Sequence, residues 1–319
     1  MDVMTERSGQ PRKRLNRRKR NRNLFFAALV VWPIIQISIC YIYVNFNSFV
    51  LAFRNYDYAD GALGFDITFA GWSNFKEAIH QLSDKTYMFG NSLKLFFWTT
   101  IVGLTLALIF SYYIYKKYPM GEMFRVILFM PKILSGVVFC LLFKYIANDV
   151  YVYVAENFFH VESATGLLDS EETKLATVLF FSVWIGFGVN VLMFSNGMSG
   201  IDEAIVESAQ LDGVNAIQEF IHITVPMIWP TFVSFLTINF AGLFTDQMHL
   251  HTLFGNNGGD LSTFGYYLYI NSARGELVPT NKAPSFSVLS AMGLMMTAIM
   301  LPLVLGLRKG LKKFGPSVD

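Results

Sequence analysis

The chain has 319 residues, of which 53% are hydrophobic, 16% aromatic and only 15% charged. Soluble domains carry about a quarter charged residues, so this composition excludes an ordinary soluble protein and, with apolar runs of about 20 residues, predicts a multi-pass protein of the cell membrane. The formal net charge of +2 hides an asymmetry, because a dense series of Lys and Arg residues between Arg7 and Arg22 precedes the first apolar run.

The first predicted element is a basic tail over residues 1–23. Runs of Lys and Arg attract phosphate, so a nucleic-acid-binding arm is one interpretation. The other is a cytoplasmic flank that orients the first span and touches anionic lipid. We favour the second, because the basic run directly abuts an apolar segment at Leu24. We therefore expect contact with membrane lipid and none with nucleic acid.

Six apolar segments are long enough to cross a bilayer as helices: residues 24–46, 90–113, 125–147, 175–197, 228–252 and 285–307. The basic clusters at Arg12–Arg22, Lys116–Lys117 and Arg308–Lys313 all lie on one side of the membrane if both termini are cytoplasmic, as the positive-inside rule expects. The sequence thus predicts an all-α membrane protein with six transmembrane helices. The basic tail is followed by a membrane domain at 24–313 and a short cytoplasmic C-terminal tail at 314–319.

The segment between the fourth and fifth spans, residues 198–227, is cytoplasmic in this topology yet contains no Lys or Arg. Its pattern predicts two short helices, with Asp212-Gly213 as a stop signal and Asn215 and Gln218 as a capping pair for the second helix. Helices that lie on lipid usually carry Lys or Arg on their polar face, whereas this segment is acidic. The alternative, an amphipathic linker resting on the membrane, is therefore disfavoured, and we interpret the segment, called the 198–227 loop below, as a docking element.

The 198–227 loop resembles the EAA loop of membrane subunits of binding-protein-dependent ABC importers. The resemblance is carried by Glu207-Ser208-Ala209, Asp212-Gly213, Phe220 and Ile223-Thr224-Val225-Pro226. In that family the loop forms the coupling helix, which inserts into a groove on the ATPase subunit. The resemblance implies that the ATPase-coupling residues are Glu207, Ser208, Ala209, Asp212, Gly213 and Phe220. Ser208 stands where the family usually has Ala, and both side chains are small enough for close packing.

Two further segments resemble the sugar-importer permeases of the maltose type: residues 124–148, which match the third span, and residues 254–269, an outer loop in which Asp260 replaces the usual Pro. The resemblance implies a permease subunit that takes up a sugar or oligosaccharide delivered by an extracytoplasmic solute-binding protein. It also implies a second, homologous permease and two ATP-binding cassette subunits as partners.

The sequence contains no phosphate-binding G-x-x-x-x-G-K-[ST] motif, no cluster of catalytic side chains and no metal-ligand pair. We therefore expect a transport subunit that is not an enzyme and binds no cofactor, with ATP and Mg²⁺ held by the partner ATPase subunits. Three alternatives stay open. One is an importer for another polar solute, such as a glycerol phosphodiester. The others are a membrane enzyme or scaffold, and a secondary transporter, which would show broken spans or inverted repeats that the sequence does not display.

Polar side chains are expensive in a membrane and indicate substrate contact, helix pairing or, near a span end, solvent exposure. The candidates for a substrate path are Ser182, Gly186 and Asn190 on one face of the fourth span, and Asn239, Phe240, Phe244, Asp246 and Gln247 in the fifth. Lys132, which follows Pro131 in the third predicted span, has two interpretations: snorkelling to the cytoplasmic surface, or pairing with an acid of the partner permease.

Overall fold

A computed structural model describes residues 11–58, 65–274 and 284–316. Residues 1–10 of the basic tail, parts of two predicted outer loops at 59–64 and 275–283, and residues 317–319 lie outside the described residues. The α-helices are α1 Pro11–Ile37, α2 Val44–Leu51, α3 Ser73–Ser83, α4 Tyr87–Tyr115, α5 Gly121–Ile133, α6 Gly136–Tyr145, α7 Tyr151–Asn157, α8 Glu171–Met198, α9 Glu203–Leu211, α10 Ala216–Glu219, α11 Val225–Met227, α12 Trp229–Gly242, α13 Leu250–Phe254, α14 Phe264–Arg274 and α15 Phe286–Phe314.

Several of these helices join into longer ones through π-helical turns at Ser38–Tyr43, Ile146–Val150 and Phe220–Thr224. Within the described residues, five helices are long and apolar enough to cross a membrane: Lys19–Leu51, Tyr87–Tyr115, Gly136–Asn157, Glu171–Met198 and Phe286–Lys313. A bent pair, Ala216–Met227 with Trp229–Gly242, makes six if it counts as one span. The prediction of a mostly helical protein with several membrane spans is confirmed.

A two-stranded antiparallel sheet follows the first long helix and was absent from the sequence-based prediction. Strand β1, Arg54–Tyr58, pairs with β2, Phe65–Phe69, so that Arg54 lies opposite Phe69. The Asn74 side-chain amide on α3 donates to the carbonyls of Ala52 and Arg54, each at 3.0 Å. This pair of hydrogen bonds fastens α3 to the end of α2 and to β1, at what we call the strand end of the bundle.

The third predicted span, 125–147, is not one continuous helix. Helix α5 ends at Ile133, Leu134 and Ser135 are extended with ψ of 153° and 131°, and α6 begins at Gly136. Pro131 lies in the last turn of α5, where it has no backbone N–H to donate and its ring crowds the preceding turn, and the break itself falls at Leu134 and Ser135. The membrane-length helix in this region is therefore Gly136–Asn157, shifted toward the C-terminus from the predicted range.

The fifth predicted span, 228–252, is also broken. Helix α12 ends at Gly242, and its 14 residues extend about 21 Å, less than the ~30 Å of a bilayer core. Met248 and His249 have φ of 52° and 58°, which no continuing α-helix allows. At its other end α12 meets the preceding helix at an angle of 69°. Non-helical backbone at membrane depth is tolerated only where protein or a cavity lines it.

Helices α4 and α8 run parallel and form the centre of the bundle. The Ser111 hydroxyl on α4 donates to the Val191 carbonyl on α8 at 2.9 Å. Helix α5 crosses α8 so closely that a Cβ at Gly188 would overlap the Leu128 carbonyl. Both α4 and α8 end near the 198–227 loop, at what we call the loop end of the bundle. There the Trp229 indole N–H donates to the Leu311 carbonyl at 3.1 Å and ties α12 to α15.

Candidate functional site

The 198–227 loop folds as two capped helices, as its sequence predicts. The Asp202 carboxylate accepts from the Ala204 N–H at 3.0 Å and caps α9. The Asn215 side chain accepts from the Gln218 N–H at 2.9 Å, while the Gln218 side chain accepts from the Asn215 N–H at 3.1 Å. This reciprocal pair is the predicted capping box, which starts α10.

Gly213 makes the turn between the two helices. Its φ is +81°, in the region that disfavours a side chain with a Cβ. The Gly213 N–H donates to the Gln210 carbonyl and the Val214 N–H to the Ala209 carbonyl, both at 3.1 Å. These two bonds are the pattern of a helix terminated by a left-handed glycine, so the predicted stop signal is confirmed.

The residues predicted to couple to an ATPase divide into an exposed group and a buried group. Glu207, Ser208, Asp212 and Gly213 are exposed, whereas Ala209 is buried and Phe220 is partly buried. The exposed group lies on the helix pair and its turn, where a second protein can reach it. Phe220 fixes the pair to the bundle, because its ring packs against the Tyr112 ring of α4 with 5.0 Å between centroids.

A second contact that the sequence did not reveal holds the loop to α4. The Lys116 ammonium lies 2.7 Å from Oε1 and 2.8 Å from Oε2 of Glu219, whose residue exposure is only 2%. The Tyr112 hydroxyl donates to the Ala216 carbonyl at 3.1 Å. The partners of each contact are more than 100 residues apart in sequence. Local patterns carry no signal for such a pairing.

A cavity of about 490 Å³, which we call the polar cavity, lies about midway along α4 and α8. Its lining comes from α4, α8 and α12 and from the two broken regions: Phe96, Thr99, Thr100, Gly103, Pro131, Lys132, Leu134, Gly136, Ser182, Val183, Ile185, Gly186, Asn190, Ile238, Asn239, Gly242, Asp246, Met248 and His249. The breaks in the third and fifth predicted spans thus coincide with its wall, as expected for irregular backbone at membrane depth.

The candidate substrate-path residues separate into those that line the polar cavity and those that do not. Five of them line it: Ser182, Gly186, Asn190, Asn239 and Asp246. Phe240 and Phe244 pack instead against other aromatic rings, Phe240 on Phe96 and Phe244 on Phe89. Gln247 lies outside the lining, although it neighbours Asp246. Because the helix ends at Gly242, helical spacing does not show which way the following side chains point.

The structure adds cavity residues that the sequence did not single out. Thr99, Thr100 and Gly103 contribute the α4 wall, and His249 lies at the left-handed bend with its ring against Phe181. Lys132, which had two interpretations, lines the polar cavity. The Asp246 carboxylate accepts from the Met248 N–H at 2.8 Å, which braces the bend. In the described part of the chain, no group of three or more His, Cys, Asp or Glu side chains is arranged to hold a metal ion.

The segment 254–269 connects α13 to α14 through a compact turn near the strand end and includes the start of α14. The Tyr266 hydroxyl donates to the Gly255 carbonyl and accepts from the Gly258 N–H, both at 2.7 Å. Burial raises the pKa of the Tyr266 phenol, so it stays neutral and keeps donating. The Asn91 amide on α4 donates to the Ser262 carbonyl at 3.1 Å, which attaches the turn to the start of α4.

Comparison with known proteins places these features in one family. Residues 99–308, about two thirds of the chain, match the family described as binding-protein-dependent transport system inner membrane component. The chain is 26% identical over 241 residues to the arabinooligosaccharides transport system permease protein AraP of Bacillus subtilis (strain 168), a match that covers 74% of each. It is 25% identical over 262 residues to the inner membrane ABC transporter permease protein YcjO of Escherichia coli (strain K12), covering 77% of this chain and 79% of that one.

The fold matches a chain in the crystal structure of a bacterial ABC transporter involved in the import of the acidic polysaccharide alginate. The TM-score is 0.74 with 18% sequence identity, and the match covers 93% of this chain and 98% of the other. The family match, residues 99–308, includes both the 198–227 loop and the whole lining of the polar cavity except Phe96.

Proposed function

Because the chain belongs to the family of binding-protein-dependent transport system inner membrane components, we propose that it is the permease subunit of an ATP-driven importer for a sugar or oligosaccharide. The observation that carries this proposal is the family match, which spans the loop and nearly all of the cavity. We infer the saccharide substrate from the relative that is named for arabinooligosaccharide transport. The protein is a multi-pass component of the cell membrane.

The composition of the polar cavity supports a hydroxylated substrate. Asn190 and Asn239 offer both donors and acceptors, Lys132 donates and Asp246 accepts. A sugar hydroxyl both donates and accepts, so it can satisfy either kind of group. The volume of about 490 Å³ lies within the range of small-molecule sites, roughly 300–1,000 Å³. We propose that Ser182, Gly186, Asn190, Asn239 and Asp246 lie along the translocation path, together with Lys132.

The 198–227 loop is proposed as the element that docks on the ATPase. Glu207, Ser208, Asp212 and Gly213 present the contact surface, Ala209 is buried beneath it, and Phe220 packs against α4. ATP and Mg²⁺ are bound by two partner ATP-binding cassette subunits. A second permease completes the cavity, and an extracytoplasmic solute-binding protein delivers the substrate. Closing the ATPase pair moves the loops and switches the access of the cavity, a rigid-body transition.

The proposed orientation puts both termini and the 198–227 loop in the cytoplasm. It is supported by the basic clusters at Lys116–Lys117 and Arg308–Lys313, which lie at the loop end. The test is labelling with a membrane-impermeant maleimide in intact cells. We expect a cysteine placed at Gly259 to react from outside and one placed at Asn215 to be protected. The reverse pattern would overturn the orientation.

Two of the alternatives can be weighed on the structure. Broken spans, whose absence had counted against a secondary transporter, are present in the third and fifth predicted spans. The continuity of the spans therefore no longer argues against a secondary transporter. Membership of the family of binding-protein-dependent transport system inner membrane components does. An enzyme or scaffold would need catalytic groups that converge on one cavity, whereas the polar cavity holds a mixed set with one lysine, one aspartate and one histidine.

The decisive experiment is purification of the chain co-expressed with its candidate ATPase, second permease and binding protein. We expect stable co-purification of the ATPase subunits and ATP-dependent uptake of radiolabelled arabinooligosaccharide or maltodextrin by proteoliposomes. Uptake of a glycerol phosphodiester and of no saccharide would change the substrate class and keep the importer. Failure of the ATPase subunits to co-purify would contradict the importer itself.

A further inference from the structure

Among the acids of the 198–227 loop, Glu219 has an unusual environment. Asp202, Glu203, Glu207 and Asp212 are all exposed, whereas Glu219 is buried with 2% exposure. A carboxylate is expensive to bury unless a charged partner compensates it. That partner is Lys116, the residue that directly follows the last residue of α4.

The contact between Lys116 and Glu219 is a hydrogen-bonded ion pair. The ammonium donates to Oε2 at 2.8 Å and lies 2.7 Å from Oε1, and it is 5.9 Å from the ring centroids of Tyr112 and Tyr115. The Tyr112 hydroxyl bonds the Ala216 carbonyl, one helical turn before Glu219 on α10. The Lys116 side chain is 18% exposed and that of Glu219 3%, so solvent screening is weak.

Lys116 begins the short turn that connects α4 to α5, and both of these helices reach the polar cavity. Helix α4 contributes Thr99, Thr100 and Gly103 to the cavity wall, and Gly103 lies about 20 Å along the helix from Lys116. The short turn after Lys116 leads into α5, whose last turn contributes Pro131 and Lys132. A force applied to α10 therefore reaches two walls of the cavity through the end of α4, where the ion pair is the charged contact beside the Tyr112 hydrogen bond and the Phe220 ring contact.

We propose that the ion pair of Lys116 and Glu219 is the mechanical joint that transmits movement of the 198–227 loop to α4 and α5, and thereby to the polar cavity. Glu219 and Lys116 are positioning residues in this scheme, since neither lines the cavity. The inference rests on the proposed function, in which the loop is displaced by an ATPase. A buried ion pair adds little net stability compared with an apolar pair, but its geometry fixes one relative position of the two elements.

The test uses the assembled complex in inside-out membrane vesicles, with a cysteine at Thr99 as a reporter of the cavity and Cys40 changed to Ser. The probe is a membrane-impermeant maleimide, with and without Mg-ATP and orthovanadate. In the parent protein we expect nucleotide and vanadate to lower labelling at least five-fold, because the cavity then closes toward the cytoplasm. Cys140 is fully buried and is retained.

The joint is removed in two ways. Glu219→Gln removes one charge, and the double variant Lys116→Gln with Glu219→Gln removes both and leaves no unpaired buried charge. We expect both to keep ATPase subunits bound and hydrolysing ATP, while labelling at Thr99→Cys changes less than two-fold with nucleotide. The exchange Lys116→Glu with Glu219→Lys should restore at least part of the response. Lys117→Met is the control, since Lys117 is the exposed neighbour and should behave as the parent.

The outcomes separate the joint from the function on which it rests. A double amide variant whose cavity responds to nucleotide as the parent does would overturn the joint and leave the importer intact. Labelling in the parent that ignores nucleotide would overturn the cavity as the translocation path, and the joint with it. Loss of the response in Lys117→Met as well would show a general effect of charge at this end of α4, and would also refute a specific joint.

Discussion

Replacing Gly213 with Val tests whether the turn of the 198–227 loop couples to the ATPase. Gly213 has φ of +81°, and a Cβ built there would meet no atom within 4 Å. The substitution therefore introduces no clash, and its cost comes from the backbone conformation alone. A β-branched residue in this region costs about 1–3 kcal/mol, which corresponds to roughly 5- to 150-fold in an equilibrium constant.

The strain acts on one specific hydrogen bond. The bond from the Val214 N–H to the Ala209 carbonyl forms only while residue 213 keeps its positive φ. If the turn relaxes, α9 loses its C-terminal cap and the exposed Glu207 and Asp212 change position relative to α10. The chain should still insert in the membrane, because the turn lies outside the membrane-length helices.

The assay measures co-purification of the ATPase subunits and ATP hydrolysis stimulated by substrate-loaded binding protein. We expect Gly213→Val to lower at least one of these five-fold or more, and Gly213→Asn to stay close to the parent, since Asn tolerates positive φ. Gly259→Val is the matched control: Gly259 has φ of +52° with equally open space, but it lies in the turn near the strand end. A Gly213→Val complex with full stoichiometry and normal stimulation would refute the coupling role of this loop.

Three further predictions address the cavity, the docking surface and the helix packing. Asn190→Leu and Asp246→Leu should each reduce uptake several-fold while the complex stays assembled, because they remove polar contacts from the cavity wall; unchanged uptake in both would show that the path lies elsewhere. Glu207→Lys reverses an exposed charge and should weaken ATPase co-purification with normal membrane insertion, and normal co-purification would contradict its role. Gly188→Ala should lower the thermal unfolding temperature in detergent, at a cost of about 1–3 kcal/mol, because its methyl group would overlap the Leu128 carbonyl. Gly186→Ala, where a Cβ meets nothing within 4 Å, should leave that temperature unchanged, and equal effects would refute this account of the packing.

The sequence was sufficient to predict those features that form between residues close together in the chain. The capping box of Asn215 and Gln218 and the turn at Gly213 form between residues at most a few positions apart, so their side-chain chemistry determines them locally. Long apolar helices follow for a similar reason, since in lipid each backbone group must be satisfied within its own segment. The same rule predicted continuous helices at 125–147 and 228–252, and both predictions were wrong. Backbone that lines a cavity can be irregular, and the hydropathy of an apolar run does not show where this occurs.

Only the tertiary structure decided which polar groups meet. Asn190, Lys132 and Asp246 come from three separate segments, and they share a cavity because two of those segments break beside it. Phe240 and Asn239 are adjacent in sequence, yet one packs on Phe96 and the other lines the cavity. Lys116 and Glu219 are 103 residues apart, and from the sequence each charged residue is indistinguishable from an ordinary surface residue. The burial that makes them a pair depends on how α10 packs against the end of α4, and this long-range contact leaves no periodic signal in the sequence.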